Sequence, residues 1–295
     1  MSDAYGRDRG VLAHASRWLL PAAGLALAVA LWWVGTVAIG RGFITRFAPE
    51  HTFAALIGLI ESGALWPHLF ASLRRVLLGL VLSALIGFPL GLLLGRSQVF
   101  ARASGAVFQF LRMISPLAWT PLAIILLGVG DPPVYFLIAI GCVWPIALNT
   151  AAGVAALEPR WLTLARSLGA TRLEAARAIV WPGIRAHVLT GGRLAVGLAW
   201  IILVPAEMLG VDSGLGYYIL DTRDRFAYGE LMAAILVVGF TGFLIDVAAR
   251  RILREPVRAS GARRSGATTP LQREVSSGEA TSTPVSAEEL RPIAR

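Results

Sequence analysis

Apolar runs of about twenty residues alternate along this chain with short stretches that carry arginine. An α-helix rises about 1.5 Å per residue, so a run of this length crosses the roughly 30 Å of hydrocarbon in a bilayer. The pattern therefore predicts an all-α integral membrane protein with six transmembrane helices. The predicted spans cover residues 18–40, 69–95, 103–128 (or 107–128), 134–154, 188–209 and 229–249.

The polar segments divide the chain further. Residues 1–17 form a hydrophilic cytoplasmic N-terminus, and residues 18–64 contain the first span and an external amphipathic segment. Residues 65–254 form the predicted core, in which residues 158–187 are too polar to span a membrane. Residues 255–295 are rich in small and polar residues without apolar periodicity, so this tail is predicted to be disordered.

Charge indicates the orientation of the spans. Only 15% of the residues are charged, against roughly a quarter in soluble domains. Arginine is concentrated in alternate connecting segments, and the positive-inside rule then predicts that both termini are cytoplasmic. Arg74 and Arg75, at the outer end of the second span, do not follow this rule. The net charge of +9 is explained by arginine at cytoplasmic helix ends, so no nucleic-acid partner is expected.

The polar segment 158–187 contains apolar residues at helical spacing. Its pattern predicts two short helices joined at Gly169, and Pro182 either ends the second helix or lets the chain turn into the fifth span. Spacing alone also fits an amphipathic helix lying on the inner leaflet. The periodic apolar residues are Leu162, Ala165, Leu168, Leu173, Ala176, Ile179 and Val180.

The same segment resembles the EAA loop of ABC-importer permeases, in which Glu-Ala-Ala is followed at fixed spacing by Gly, Ile and Pro. Thr163 and Leu164 depart from that pattern because they replace its Glu and its first Ala. The residues that fall in register are Ala165, Gly169, Ile179 and Pro182.

Longer stretches within residues 65–251 are similar to the nitrate/sulfonate/taurine/bicarbonate branch of these permeases. The resemblance implies the type I ABC-importer permease fold in a bacterial inner membrane. It also implies a permease subunit for a small anion of the nitrate, sulfonate, bicarbonate or cyanate class. The similar stretches are LRMISPLAWTPLAIILLGVGD, ARSLGATRLEAARAIVWPGI, LTGGRLAVGLAW and VPAEMLGVDSGLGYYI.

The resemblance also implies the partners. These are an ATP-binding subunit that carries ATP and Mg²⁺, a second permease copy, and a periplasmic or lipoprotein solute-binding protein. The chain itself is expected to bind no cofactor or metal and to be no enzyme, since a Walker sequence needs a Lys that it lacks. In such permeases the loop docks on the ATPase, and Gly169→Arg is expected to abolish that association. The residues expected to couple to the ATPase are Ala165, Arg166, Leu168, Gly169, Ala170, Arg172, Ile179 and Pro182.

Candidates for the translocation path lie in the third and fifth spans. A deep Arg112 can attract an anion, but it can equally form an ion pair with Glu207 or contact backbone carbonyls. Pro116 and Pro121 break the third span, which is tolerated where backbone lines a cavity or where kinked helices pack together. An ion-gradient-driven secondary transporter is the alternative function. The candidate path and gate residues are Arg112, Ser115, Pro116, Trp119, Thr120, Glu207 and Met208.

Overall fold

The computed structural model describes residue 20, residues 23–38 and residues 42–253, and the regular structure in these residues is helical. The all-α class is thus confirmed for this part of the chain. The helices are α1 Ala23–Ala38, α2 Pro49–Glu61, α3 Leu65–Arg96, α4 Gln98–Met113, α5 Thr120–Leu127, α6 Asp131–Ala155, α7 Pro159–Ser167, α8 Arg172–Ala175, α9 Trp181–Glu207, α10 Leu215–Asp224 and α11 Tyr228–Ile252. The N-terminal residues 1–17 and the tail 255–295 of the predicted organisation lie outside the described residues.

Helices α3 and α6 pack parallel to each other and form the most extensive helix pair of the bundle. Small residues recur at every fourth position of α3 and let the two backbones approach closely. A Cβ atom at Gly87 would lie 2.8 Å from the carbonyl oxygen of Val143, and one at Gly91 would lie 2.5 Å from that of Ala147. The residues of this small-residue stripe are Gly79, Ser83, Gly87, Gly91 and Gly95.

Four of the described helices are long and apolar enough to cross a membrane. They are α3, α6, α11 and the continuous helix Arg172–Glu207, which includes α8 and α9. The bent pair α4 and Pro116–Leu127 raises the number to five if it is one span. The shorter apolar helix α1 corresponds to the first predicted span, of which residues 18–19, 21–22 and 39–40 lie outside the described residues.

The third predicted span is two helices rather than one interrupted helix. Helix α4 ends at Met113, and the following helical segment, Pro116–Leu127, is inclined to it by 87°. The residue before a proline is pushed out of the helical region of φ and ψ, and Ser115 accordingly has φ −57° and ψ 131°. Pro116 and Pro121 each occupy a first helical turn, where a missing N–H removes no hydrogen bond.

The fifth predicted span begins earlier than Val188. A single helix runs for 36 residues from Arg172 to Glu207, so Pro182 neither ends a helix nor turns the chain. A π turn at Ala176–Val180 ends two residues before the proline. Such a local change of hydrogen-bond pattern lets a helix continue past a residue that has no N–H.

Helix α2 contains the predicted amphipathic segment and packs along α11. The contact is close at Gly229, where a Cβ atom would lie 3.1 Å from the carbonyl oxygen of His51. On the same side of the bundle, Trp200 of α9 donates a hydrogen bond from Nε1 to the carbonyl oxygen of Val238, at 3.2 Å. Helix α11 is therefore held by both α2 and α9.

Candidate functional site

The loop between α7 and α8, residues 168–171, has a fixed backbone. Gly169 has φ +77°, a conformation that L side chains rarely adopt. Its N–H donates to the carbonyl oxygen of Arg166 at 3.0 Å, and the N–H of Ala170 donates to that of Ala165 at 3.0 Å. These two hydrogen bonds form a Schellman motif, which ends α7 in a left-handed glycine.

The start of α8 is also held by local hydrogen bonds. Thr171 accepts a hydrogen bond at Oγ1 from the N–H of Glu174 at 3.3 Å, and Glu174 Oε2 accepts one from the N–H of Thr171 at 2.7 Å. This reciprocal capping box satisfies two otherwise free N–H groups at the helix start. The turn from α7 into α8 is therefore a corner whose shape is held by hydrogen bonds within the chain.

The side chains of the corner face outward. Leu168 is 78% exposed, and Arg166 and Arg172 beside it are also exposed. Ala165 is buried beneath the corner, and Ala170 is half-buried. Five of the six predicted coupling residues from Ala165 to Arg172 thus lie at one surface with an apolar tip and two flanking cations, and the sixth, Ala165, is buried beneath it.

The other two predicted coupling residues lie farther along the same helix. Ile179 is half-buried and lines a cavity of about 460 Å³ between the end of α6, α7 and the π turn. Pro182 is exposed in the first turn of α9. The structure separates these two residues from the corner, so they do not form part of its surface.

A second cavity lies at the break between α4 and α5. Its volume is about 460 Å³, and it combines aromatic and aliphatic walls with a few polar groups. Its walls come from α4, the break, α6 and α9, and they include the predicted path residues Arg112, Pro116 and Trp119 together with Trp144 and Asn149 of α6.

The remaining predicted path residues do not line this cavity. Ser115 is exposed at the break, and Thr120 is buried with its hydroxyl donating to the carbonyl oxygen of Leu117 at 2.7 Å. Met208 is half-buried at the end of α9, directly after the buried Glu207. The structure therefore divides the predicted set into a cavity group and a group at the end of α9.

Arg112 lines this cavity and has no acidic partner among the described residues. It lies 14 residues after the start of α4, or about 21 Å along the helix axis. Its Nη2 donates to Gln109 Oε1 at 2.8 Å, and within the described residues it forms no ion pair with a carboxylate. The alternative of an Arg112–Glu207 ion pair is wrong, because Glu207 is paired with Arg75.

Glu207 belongs to a buried polar cluster that the sequence did not reveal. Both Glu207 and Arg75 are almost fully buried, with side chains 0% and 1% exposed. The carboxylate accepts from Arg75 Nη1 at 2.7 Å, from Ser72 Oγ at 2.9 and 2.8 Å, and from the N–H of Gly216 at 3.0 Å. This cluster joins the first turns of α3 to the last residue of α9.

Arg75 extends the cluster to two further parts of the chain. Its Nε donates to Asp131 Oδ1 at 2.8 Å, at the first residue of α6. Its Nη1 and Nη2 donate to the carbonyl oxygen and Oγ of Ser213 at 2.7 and 2.8 Å. The five donors of a guanidinium suit such a junction, since they lie in a fixed plane.

The segment after α9 folds over the cluster. The N–H of Leu215 donates to Ser72 Oγ at 2.8 Å, and the N–H of Gly214 donates to His68 Nδ1 at 3.2 Å. Gly214 has φ +106°, and a Cβ atom there would lie 2.5 Å from Arg75 Nη1. Only glycine therefore fits at this position.

One signal in the sequence could have located the cluster. Arg74 and Arg75 contradict the charge bias of the chain, and Arg74 also forms an ion pair with Asp131. Charges that break an orientation rule need a local partner, and Asp131 and Glu207 lie at the same predicted membrane face. The pairing itself joins residues 132 positions apart, which local periodicity does not encode.

Helix α10 is tied to α11 beside this cluster. The Tyr218 hydroxyl donates to Glu230 Oε2 at 2.9 Å. Burial, followed by this hydrogen bond and the charge of Glu230, raises the pKa of Tyr218 to about 12. The tyrosine is therefore a neutral donor at any physiological pH.

No group of His, Cys, Asp and Glu suited to a metal ion occurs among the described residues.

Comparison with known proteins gives a consistent result. The model of the family described as "Binding-protein-dependent transport system inner membrane component" matches residues 87–254. The nitrate import permease protein NrtB of Leptolyngbya laminosa is 35% identical over 186 residues. That match covers 63% of this chain and 66% of NrtB, slightly less than two thirds of that protein.

Two further relatives match over a greater length. The bicarbonate transport system permease protein CmpB of Synechococcus elongatus is 32% identical over 239 residues, which cover 77% of this chain and 85% of CmpB. The taurine transport system permease protein TauC of Escherichia coli is 31% identical over 238 residues, with 78% and 86% covered.

The fold is similar to that of a solved transporter. An inward-facing structure of the MetNI methionine ABC transporter superposes with a TM-score of 0.55 at 17% identity. The superposition covers 64% of this chain and 94% of that chain. This likeness confirms the predicted type I permease fold.

Proposed function

Because this chain belongs to the family of binding-protein-dependent transport system inner membrane components, we propose that it forms the translocation path of an ATP-driven importer for a small anion. Proteins of this family are permease subunits of ABC transporters, and their ATPase activity lies in a separate subunit. The chain is a multi-pass membrane protein, and its family implies an ATP-binding subunit and a solute-binding protein as partners. The alternative of a secondary transporter is therefore set aside.

The substrate class is supported by the relatives and by one side chain. The named substrates of three relatives are nitrate, bicarbonate and taurine, each of which carries an anionic oxygen group. The observation that carries the proposal is Arg112, a cation that lines the cavity at the broken span and has no carboxylate partner in the described residues. A guanidinium is weakly hydrated and presents several donors in one plane, so it suits an oxyanion.

The cavity is proposed to be completed by a second copy of this chain. Helix α4 has no buried residue, although it is strongly amphipathic and its exposed residues include Val107, Phe110 and Met113. Ile125 and Leu126 of α5 extend this exposed apolar face beside the cavity. A second copy on this face would enclose the cavity between two Arg112 side chains.

The corner formed by residues 165–172 is proposed to dock on the ATP-binding subunit. Its apolar tip, Leu168, protrudes from a backbone that is already fixed by the Schellman motif and the capping box. A preformed tip loses little conformational entropy on binding. ATP and Mg²⁺ are expected on that subunit. The corner then lies in the cytoplasm, as do both chain termini, and the buried Arg75 cluster lies at the outer membrane face.

The anion proposal is tested by Arg112→Gln in the assembled transporter. Loss of a charge-assisted hydrogen bond to the substrate removes about 1.5–3 kcal/mol, so uptake at subsaturating substrate should fall by about 10- to 100-fold. Uptake of labelled nitrate, bicarbonate and taurine is measured in cells that lack other carriers for them.

The matched control is Arg102→Gln, which removes the same charge from α4 at an exposed position outside the cavity. Uptake by this variant should be unchanged for whichever anion the wild type transports. If Arg112→Gln transports that anion as well as wild type, Arg112 has no role in anion recognition. If the wild type carries none of the three anions, the small-anion class has to be reconsidered.

A further inference from the structure

A single helix connects the cytoplasmic corner to the buried cluster. The helix Arg172–Glu207 has 36 residues and is about 54 Å long, well beyond the roughly 30 Å of the hydrocarbon core. Its first turn is held by the capping box of the corner, and its last residue is Glu207. A displacement of the corner therefore moves the far end of the same element.

At that far end, Glu207 is not free to move alone. Its carboxylate oxygens bind Ser72 and Arg75 of α3 and the N–H of Gly216 in α10. Arg75 adds hydrogen bonds to Asp131 at the start of α6 and to Ser213. The end of α9, the starts of α3 and α6, and the segment 208–216 are thus connected through one ion pair.

We infer that Arg75 and Glu207 are a positioning pair that transmits movement of the long helix to the outer mouth of the translocation path. The inference rests on the proposed function, since it requires the corner to be moved by the ATP-binding subunit. The pair acts by holding the outer segment 208–216 to the end of α9. Arg75 and Glu207 do not line the described cavity, so they are not proposed to touch the substrate.

The chemistry of the pair favours positioning over stability alone. Burying two charges costs about as much as their attraction returns, and apolar side chains of similar volume can replace such a pair with equal or greater stability. Apolar contacts, however, are less directional than hydrogen bonds. The Arg75 and Glu207 hydrogen bonds are directional and are satisfied by protein groups from several elements, so they define one arrangement of the outer mouth.

The test measures movement at both ends of the helix in the complete transporter. Spin labels are attached in separate samples at Thr163→Cys, near the corner, or at Asp212→Cys, in the outer segment; both positions are exposed. Cys142 remains in place because it is fully buried. Distances between the labels of the two copies are recorded by pulsed electron paramagnetic resonance, without nucleotide and with ATP, Mg²⁺ and vanadate.

The decisive variant combines Arg75→Met with Glu207→Met. Nucleotide should shift the Thr163 label distance as in wild type, whereas the shift of the Asp212 label distance should be lost. A matched control combines Asp221→Leu with Arg225→Met and removes an exposed ion pair of the same outer region. This control should retain the shifts at both labels.

The results of the labelling experiment separate failure of the inference from failure of the proposed function. A normal outer shift in the assembled double variant overturns the inference, because the pair is then only structural. Absence of any shift at the Thr163 label in wild type contradicts the proposed function instead. If the double variant does not assemble, Arg75→Lys provides the answer, since an ammonium keeps the charge but cannot reproduce the planar set of hydrogen bonds to Glu207, Asp131 and Ser213. A full outer shift in Arg75→Lys overturns the inference, and a reduced one supports it.

Discussion

At the scale of single residues, Gly169 is explained by its backbone conformation. Its φ of +77° is the left-handed state that ends α7, and a Cβ atom at this position would meet no atom within 4 Å. The glycine is therefore required by the turn and not by crowding within the chain. Gly169→Arg would both strain the turn and place a large side chain on the surface. Loss of binding to the ATP-binding subunit would therefore not show which of the two changes caused it.

Leu168→Glu separates these effects, because it changes the surface and leaves the turn intact. An apolar side chain at the centre of an interface contributes about 2 kcal/mol or more, so affinity for the ATP-binding subunit should fall by roughly thirtyfold. The measurement is co-purification of the ATPase with the tagged permease. Ile252→Glu is the control, since Ile252 is 78% exposed like Leu168 and ends α11 away from the corner. Equal recovery of the ATPase with both variants would refute the docking surface.

At the scale of secondary-structure elements, the α3–α6 pair depends on close backbone approach. Hydrocarbon chains of lipid are as apolar as leucine, so membrane helices associate through packing and hydrogen bonds rather than through water exclusion. The small-residue stripe of α3 permits this packing along the whole contact. Its period of four residues is visible in the sequence, although the partner helix is not.

Gly91→Leu should disrupt this pair. The new side chain would overlap the carbonyl oxygen of Ala147, a backbone group that cannot rotate away. Overpacking of this kind costs about 1–3 kcal/mol or more, so the thermal unfolding temperature of the purified protein should decrease. Gly239→Leu is the control, because no atom lies within 4 Å of a Cβ atom at Gly239. Equal unfolding temperatures for the two variants would contradict the proposed packing.

The helix boundaries differ from those of the predicted fifth span. The predicted fifth span, residues 188–209, begins at Val188, after the polar residues Arg185 and His187. The helix nevertheless continues back to Arg172, because helical hydrogen bonding does not require an apolar surface. Membrane burial and helix boundaries are therefore different quantities, and hydropathy reports only the first.

At the scale of the whole molecule, the orientation of the chain can be measured directly. The only cysteine, Cys142, is fully buried, so the wild-type protein should react little with thiol reagents. Asp212→Cys should react with a membrane-impermeant maleimide in intact spheroplasts. Ser167→Cys, in the corner, should react only after the membrane is permeabilised. The reverse pattern would show that both termini are outside.

The sequence determined the class of the protein and the location of the corner at residues 165–172. Transfer of side chains into hydrocarbon is nearly additive along the chain, so the membrane class can be predicted from local composition, and the predicted orientation stays a prediction. The corner was also predictable, because glycine, capping and apolar spacing act within a few residues. The family resemblance was confirmed by the match over residues 87–254.

Only the tertiary structure decided which polar groups meet. Glu207 was a candidate partner of Arg112 in the sequence, yet it is bound by Arg75, 132 residues away. Arg75 does not follow the charge pattern of the chain, and its charge is balanced by Asp131 and Glu207 beside it. Such pairings depend on how parallel α3 and α6 bring distant residues to one membrane face. Local periodicity contains no information on that arrangement, because it is set by side-chain packing between helices.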